Sequence, residues 1–243
     1  MSTAARFFIE GVHAPGDAVE LCGADARKIR VVLRLRAGDP IRLIDSGGTT
    51  FEARVTGDGP RVRAELGRAI QSAPATRSSV TVAQAIPKGQ KMDFVVEKLT
   101  ELGVASIVPF QSERSVPGCG EAKLERWRRL ARTAALQCGR SDVPSIVEPS
   151  TLPALLEQFH RFDRVLMPWE LADPVPLREI LPGLLLRAGR LLVIVGPEGG
   201  FSHEEATGAV ARGASALWLG NTILRTETAA LVFMAILRYC TDM

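Results

Sequence analysis

Apolar and polar residues alternate in short stretches along the first 70 residues. Residues 40–44 and 51–55 both show a two-residue period, which is typical of half-buried strands. The DSGG segment at 45–48 lies between them and is typical of a hairpin turn. Short strands joined by such turns predict a small β-barrel in this part of the chain.

One segment of this region has the spacing of a helix instead. Ile29, Val32 and Leu33 fall on one helical face, which predicts a helix over residues 24–35 with these side chains inward. Basic residues crowd the other faces of this predicted helix; they are Arg27, Lys28, Arg30, Arg34 and Arg36.

The pattern changes after residue 79 to apolar strands alternating with amphipathic helices. Strands are predicted at 80–86, 104–110, 164–167, 191–195 and 216–219. Helices are predicted at 92–102, 124–138 and 227–239. Continuous apolar strands between helices indicate a parallel sheet covered on both faces, hence an α/β domain. We therefore predict two domains, residues 1–72 and 73–243, joined by the small polar segment 71–79.

Composition narrows the class of protein further. The 243 residues are 46% hydrophobic and 23% charged, as in ordinary globular proteins. No apolar run approaches the roughly 20 residues of a membrane span, and no export leader is recognisable. The four cysteines form no CxxC pair, and three histidines cannot complete a zinc site. We expect a reduced, cytoplasmic protein without metal or membrane partner.

The basic residues are mostly arginine. The net charge is +3, and only five of the 30 basic residues are lysine, which leaves 25 arginines. The positive balance lies in the first two thirds of the chain, whereas the last third is slightly acidic. Guanidinium groups suit bidentate phosphate contacts, so a polyanionic partner is one interpretation and a solvated surface is the other.

A glycine-rich loop follows the strand at 191–195. Gly196-Pro197-Glu198-Gly199-Gly200 leads into Ser202-His203-Glu204-Glu205, a capping box that predicts a helix start. Ligands of open α/β sheets bind beyond the carboxyl ends of the strands, and glycine allows close backbone approach there. A tight strand-to-helix turn explains the loop equally well. The phosphate-binding GxxxxGK[ST] and dinucleotide-binding GxGxxG motifs are missing from the sequence, which disfavours kinases, ATPases and Rossmann dehydrogenases.

A second loop of similar character precedes the last predicted helix. Leu219-Gly220-Asn221 ends a strand, and Ile223-Leu224-Arg225-Thr226-Glu227 leads into the helix, where Glu227 favours the positive N-terminus. Simple helix capping is one interpretation. Two glycine-bearing strand ends also favour a ligand site that both loops share. A Ser-His-Asp triad has no support, because His13, His160 and His203 lie in unrelated parts of the sequence.

Several segments together resemble one known family. They are Ile86 to Asp93 (IPKGQKMD), Glu97 to Gly103 (EKLTELG), Ser112-Glu113-Arg114, Gln137-Cys138-Gly139-Arg140, Gly196 to Ser202 and Ile223 to Leu231. In this order they resemble the ribosomal RNA small-subunit methyltransferase E (RsmE) family, which methylates N3 of a uridine in 16S rRNA. Arg6-Phe7-Phe8 and Gly38-Asp39 resemble the family's PUA-like RNA-binding domain.

This resemblance implies a fold and a cofactor that spacing alone does not. Residues 73–243 would form a SPOUT-type α/β domain with a deep trefoil knot, preceded by a PUA-like β-barrel, although general topology rules disfavour knots. S-adenosylmethionine would bind in the knot, and the enzyme would be a homodimer acting on 16S rRNA within a small ribosomal subunit or its precursor. The implied cofactor-binding residues are Met167, Glu170, Gly196, Pro197, Glu198, Gly199, Gly200, Leu219, Gly220, Ile223, Leu224, Arg225 and Thr226. One departure is Thr222, where many relatives have a basic residue.

The implied chemistry assigns two catalytic candidates. Arg225 would stabilise the negative charge that develops on uracil as N3 loses its proton; a helix-start or dimer salt bridge is its structural alternative. Glu198 would lie near the positive charge of the cofactor, act as a base, or hold the loop. Candidate RNA contacts, each equally explained as a solvated charge, are Arg6, Arg30, Arg34, Lys88, Lys91, Arg114 and Arg140.

Two other functions remain compatible with the sequence. A non-catalytic RNA-binding assembly factor would keep the basic patches and the barrel without needing intact cofactor loops. A SPOUT methyltransferase acting on another RNA nucleotide would keep the whole fold. Both glycine loops look intact, which favours an enzyme.

Overall fold

The chain forms two compact units. A computed structural model describes residues 4–70, 79–115, 120–185 and 189–241. The first unit comprises Met1–Pro74 with Ala135–Asp142, and the second comprises Ala75–Ala134 with Val143–Met243. The predicted boundary at 72/73 and the predicted linker fall almost entirely within 71–78, outside the described residues.

The first unit is built on a five-stranded sheet. Its strands are β1 (Ala5–Phe8), β2 (Ala18–Leu21), β3 (Pro40–Ile44), β4 (Thr50–Asp58) and β5 (Val62–Ile70). They lie in the order β1-β3-β4-β5-β2, in which β1 pairs with β3 in parallel and the other neighbours are antiparallel. The predicted hairpin is therefore confirmed, because β3 and β4 pair across the turn at 45–48. Alternate side chains such as Leu43 and Phe51 fill its core.

The helix predicted at 24–35 is shorter and of a different type. A single α-helical turn, α1 (Gly23–Arg27), continues as a π-helix over Lys28–Val32. The chain then turns at Arg34, which has a positive φ of 54°. Ile29 is buried as predicted, but Val32 is 70% exposed and Leu33 is 37% exposed. The wider π-helical turn rotates these side chains away from the stripe that a 3.6-residue period predicts.

Residues 135–142 belong to the first unit, whereas the sequence-based division placed them in the second domain. Ala135 is buried against Phe8 and Ile44 of the first unit. Arg6 Nη1 also donates a hydrogen bond to the Gly139 carbonyl oxygen at 2.7 Å. The division followed chain order, whereas these long-range contacts are invisible to local periodicity.

The second unit contains an all-parallel sheet, as the sequence predicts. Its strands are β6 (Ser79–Ala85), β7 (Ser106–Gln111), β8 (Ser145–Ile146), β9 (Ser150–Thr151), β10 (Arg164–Pro168), β11 (Arg190–Val195) and β12 (Ala214–Leu217). Their order is β12-β10-β11-β6-β7-β8, with β9 also paired to β7. Since every pair is parallel, the carboxyl ends of the strands lie along one edge.

Helices cover both faces of this sheet. They are α2 (Lys91–Glu101), α3 (Glu121–Cys138), α4 (Leu152–Leu156), α5 (Leu177–Leu185), α6 (His203–Ala211) and α7 (Thr226–Thr241). Val80 and Val82 of β6 join a core with α2, α3, α5 and α7, whereas Ala83 and Ala85 join a second core with α4 and α6. Strand residues two apart therefore face the same helical layer.

Some second-unit elements differ from the sequence-based assignment. The strand predicted at 216–219 is Ala214–Leu217, so the following loop begins two residues earlier. The prediction omitted α4 and α5; α5 contains Pro182, a residue that normally signals a helix end. Within the described ranges, no helix is long and apolar enough to cross a membrane. Nor does that part of the chain contain three or more His, Cys, Asp or Glu side chains grouped to bind a metal.

Candidate active site

A buried hydrogen-bonded chain joins two strand ends and one helix start at the carboxyl edge of the second unit's sheet. The Gln84 Nε2 atom donates to Thr226 Oγ1 at 2.8 Å. Thr226 Oγ1 in turn donates to the carbonyl oxygen of Gly196. Gln84 lies near the end of β6, Gly196 follows β11, and Thr226 begins α7. The two glycine-bearing loops of the sequence are therefore tied directly together.

Among the buried polar atoms that lack a hydrogen-bond partner within the described residues, two belong to side chains at the ends of β6 and β10. One is Oε1 of Gln84, an acceptor on a fully buried side chain whose Nε2 also donates to Ala85 O at 3.0 Å. The other is the indole Nε1 of Trp169, a donor that follows β10. Because an unpaired buried polar group costs about 1–3 kcal/mol, such atoms mark places where a polar ligand can complete the pairing.

The glycine loop packs closely against other side chains of the same unit. Gly200 has a positive φ of 67°, and a Cβ placed on it would overlap the Glu170 carboxylate. A Cβ on Gly199 would lie 3.3 Å from Cδ of Arg114, whose Nη1 donates to the Gly199 carbonyl at 2.9 Å. These two glycines therefore admit close approach by the protein's own side chains, and Arg114 braces the loop.

Both ends of the glycine loop are fixed. The Phe201 ring would lie 3.1 Å from a Cβ on Gly196, and it stacks on Phe110 with centroids 6.5 Å apart. The capping box predicted for α6 is confirmed, because Ser202 Oγ accepts from Glu205 N at 3.2 Å and Glu205 Oε2 accepts from Ser202 N at 2.9 Å. The turn is thus both a helix start and a rigid loop.

Glu198, in the middle of the loop, is held by the segment that follows β6. Its Oε1 accepts hydrogen bonds from the Lys88 backbone N–H at 3.0 Å and from Lys91 Nζ at 3.1 Å. Burial raises the pKa of Glu198, but hydrogen bonds from its own backbone N–H, Lys91 and Lys88 outweigh burial, so the net pKa lies below the usual value. The contacts favour an anionic, loop-holding Glu198 over a proton acceptor.

The second loop leads to an exposed arginine. Arg225 directly precedes α7; its carbonyl accepts the Ala229 N–H at 2.8 Å, but its exposed guanidinium has no hydrogen bond or ion pair within the described part of the chain. Ile223 is 86% exposed, and Gly220 has a positive φ of 116°. Thr226, by contrast, is buried. The loop therefore presents Arg225 to solvent from a fixed helix start.

The remaining predicted cofactor residues lie in different environments. Met167 of β10 is fully buried in the core formed with α4 and α6, so only its backbone is at the strand end. Glu170 is exposed and lies against Gly200. Leu219 and Leu224 are partly buried. The predicted cofactor residues thus include both core side chains and exposed ones, which the sequence pattern did not distinguish.

The predicted RNA-binding residues fall into two groups. Arg30, Arg34 and Lys88 are exposed. The others have intramolecular partners: Arg6 with the Gly139 carbonyl, Lys91 with Glu198, Arg114 with the Gly199 carbonyl and Arg140 with Asp142. Each side chain of the second group therefore forms a hydrogen bond within its own unit.

Sequence reasoning missed Gln84 and Trp169. The available signal for Gln84 was an amide side chain close to the end of a largely apolar strand, since a buried amide must find polar partners. Trp169 follows a buried strand directly, but its orphaned N–H depends on packing that no local pattern reveals.

Comparison with known proteins identifies the family. A family model described as an RNA methyltransferase domain matches residues 74–238. A ribosomal RNA small subunit methyltransferase E from Mycobacterium bovis is 30% identical over 231 residues, covering 93% of this chain and 88% of that relative. The chain belongs to the ribosomal RNA small subunit methyltransferase E family. The family's Bacillus subtilis member is 32% identical over 171 residues, which are 68% of this chain and 67% of that protein.

Solved structures of similar proteins share the fold. The methyltransferase E of Neisseria gonorrhoeae, crystallised with bound S-adenosyl methionine, matches with a TM-score of 0.88 and 30% identity over 98% of both chains. A putative methyltransferase from Legionella pneumophila, also in complex with S-adenosyl methionine, matches with a TM-score of 0.82 and 27% identity over 98% of both chains. The family resemblance noted from the sequence motifs is therefore confirmed.

Proposed function

We propose that this chain transfers a methyl group from S-adenosylmethionine to N3 of a specific uridine in 16S rRNA. The observation that carries this proposal is the 30% identity to a ribosomal RNA small subunit methyltransferase E over 93% of the chain. The site geometry supports it independently, because Thr226 ties together the two loops that would enclose the cofactor.

The residues present fit this cofactor. Gln84 offers an unpaired buried acceptor near the end of β6, and Trp169 offers an unpaired buried donor just after β10, the two strands that flank β11. The loops at 196–200 and 219–226 offer backbone N–H and C=O groups on a fixed frame. We assign cofactor binding to these two loops with Gln84 and Trp169. When bound, S-adenosylmethionine supplies an electrophilic methyl group.

The protein's contribution to the reaction is positioning and charge stabilisation. Loss of the N3 proton places negative charge on the uracil carbonyl oxygens, and a nearby guanidinium lowers the energy of that charge. Arg225 suits this role because its exposed side chain has no partner within the described residues. Glu198 keeps the glycine loop in place through Lys88 and Lys91. We assign proton acceptance to water, since Glu198 is held as an anion.

The same proposal includes the domain roles and the assembly. The first unit is a PUA-like barrel that binds RNA phosphates through exposed arginines such as Arg30 and Arg34. The second is a knotted SPOUT-type domain, for which the parallel strand order β12-β10-β11-β6 is the supporting observation. The enzyme acts in the cytoplasm as a homodimer on the small ribosomal subunit or its precursor.

One experiment separates this function from its two rivals. Purified protein is incubated with S-adenosylmethionine labelled at the methyl group and with small subunits from a strain lacking the gene. Labelled nucleosides are identified by mass spectrometry. The modified position is mapped by reverse transcription, which N3 methylation blocks because it removes a Watson–Crick donor.

The outcomes of this experiment are distinct. Label in 3-methyluridine at one position of 16S rRNA supports the proposal. Label in another nucleotide indicates a different substrate for the same fold. Cofactor and RNA binding without any transfer indicates a non-catalytic assembly factor.

A further inference from the structure

A lysine bridges two carboxylates that belong to the two loops of the active site. Lys91 Nζ lies 3.1 Å from Glu198 Oε1 in the glycine loop and 3.5 Å from Glu227 Oε2 in the first turn of α7. The Glu198 side chain is 27% exposed and that of Glu227 is 14% exposed, so water screens this cluster less than an open surface pair. Lys91 is the first residue of α2.

We propose that Lys91 is a positioning residue of the cofactor site: it holds Glu198 and Glu227 together and so maintains the arrangement of both loops that binds S-adenosylmethionine. This inference rests on the proposed function. It replaces the sequence-based assignment of Lys91 to RNA binding with a different role. The hydrogen bond to Glu198 and the negative charges of Glu198 and Glu227 raise the pKa of Lys91, so the bridge is cationic throughout the neutral range.

The physical reason is charge balance between the loops. Without the ammonium group, two carboxylates face one incompletely solvated space and repel each other. The repulsion separates the glycine loop from α7, against the single Thr226 hydroxyl bond to Gly196. Glu198 then keeps its hydrogen bond from the Lys88 backbone N–H, which carries no net charge and so offsets the repulsion less than the ammonium group does.

The sign of the expected effect makes the inference testable. S-adenosylmethionine carries a net positive charge, from its sulfonium and ammonium groups and one carboxylate. Removing a cation beside its site would strengthen binding through Coulomb attraction alone. A positioning role predicts weaker binding instead, because the loops lose their geometry. An RNA-contact role predicts no loss of cofactor affinity.

The experiment measures cofactor affinity by calorimetry on the full-length protein without RNA. We expect Lys91→Met to bind S-adenosylmethionine roughly tenfold more weakly, which corresponds to about 1.4 kcal/mol. Lys91→Arg should restore most of the affinity, because guanidinium can bridge two carboxylates. The matched control is Lys98→Met, which removes an ion-paired lysine from the same helix, where Lys98 contacts only Glu97 and Glu101 among the described carboxylates, at 2.8 and 2.7 Å. The control should bind within twofold of wild type.

A double variant covers the case in which Lys91→Met folds poorly. Lys91→Met/Glu198→Gln removes the repulsion together with the lysine, so it should bind the cofactor more tightly than Lys91→Met alone. Wild-type affinity in a folded Lys91→Met, or a loss confined to RNA binding, overturns the inference. If the wild-type protein binds no S-adenosylmethionine at all, the proposed function itself fails.

Discussion

Gly200 and Gly89 provide a test of whether the glycine loop is shaped for its ligand or only for the turn. Their φ angles are nearly equal, at +67° and +69°. A Cβ on Gly89 would meet no atom within 4 Å, whereas a Cβ on Gly200 would overlap the Glu170 carboxylate. Alanine at either position therefore imposes the same backbone strain, but only alanine at position 200 also displaces the Glu170 side chain.

The stability cost follows from the backbone angle. A non-glycine residue in the left-handed region costs about 1–2 kcal/mol. For a chain of this size, 1 kcal/mol lowers Tm by about 2–4 °C, so each variant should melt about 2–8 °C below wild type. Glu170 is exposed and can rotate away, so its displacement adds little to the unfolding free energy. The two variants should thus lose similar stability.

Cofactor affinity should separate the two glycines. Gly200→Ala displaces the Glu170 carboxylate from its place beside the loop, so we expect at least a tenfold loss of S-adenosylmethionine affinity, about 1.4 kcal/mol. Gly89→Ala should retain affinity within about threefold. Melting curves and calorimetry on both variants provide the measurement. If the two variants bind the cofactor equally well at equal stability, the loop is not shaped for its ligand. If Glu170→Ala loses as much cofactor affinity as Gly200→Ala, the effect belongs to the Glu170 carboxylate.

Three further substitutions test the other parts of the site. Arg225→Ala should lower the single-turnover methylation rate roughly 100- to 1,000-fold at unchanged cofactor affinity, and a folded variant with near-normal turnover would contradict its catalytic role. Thr226→Val leaves buried groups at Gly196 and Gln84 unpaired, so denaturant unfolding should show a loss of about 1–3 kcal/mol that Thr226→Ser largely restores; wild-type stability in the valine variant would disprove the link. Arg30→Glu should weaken RNA retention on filters and flatten its salt dependence, unlike the control Arg178→Glu in the other unit; equal effects would argue against an RNA-binding first unit.

The second unit was largely predictable because its periodic patterns are long. The strand β11 is apolar from Leu191 to Val195 and β6 is largely apolar, which is the composition of a parallel sheet buried on both faces. The capping box at Ser202 also specifies its helix start locally, through two reciprocal hydrogen bonds. Each of these features depends on residues within one turn or one strand of each other.

What the sequence did not predict depends on contacts between distant residues. Ala135 belongs to the first unit because it packs on Phe8, more than a hundred residues earlier. The π-helix at Lys28–Val32 changes which side chains are buried without changing the apolar spacing. Local periodicity carries no information about either feature.

The candidate site shows the same division between local and long-range information. Both glycine loops could be identified from strand ends and glycine positions, because parallel strands bring their carboxyl ends to one edge. The intramolecular partners of Lys91 and Arg114 could not, since a basic residue near a loop can face either RNA or its own backbone. The observed distances to Glu198 and to the Gly199 carbonyl give both side chains an intramolecular partner.

The way the loops are held follows from what they must do. Loops packed by large apolar side chains would be rigid, but those side chains would fill the space that a cofactor and a base need. Here the hydroxyl of Thr226 and the ammonium of Lys91 join the loops through single polar atoms, which fix distance while occupying little volume. Apolar packing contacts the loop at its first residue, because the Phe201 ring lies against Gly196 and stacks on Phe110. Polar links between the loops, together with aromatic packing at one end of the glycine loop, are therefore compatible with a loop that is both rigid and accessible.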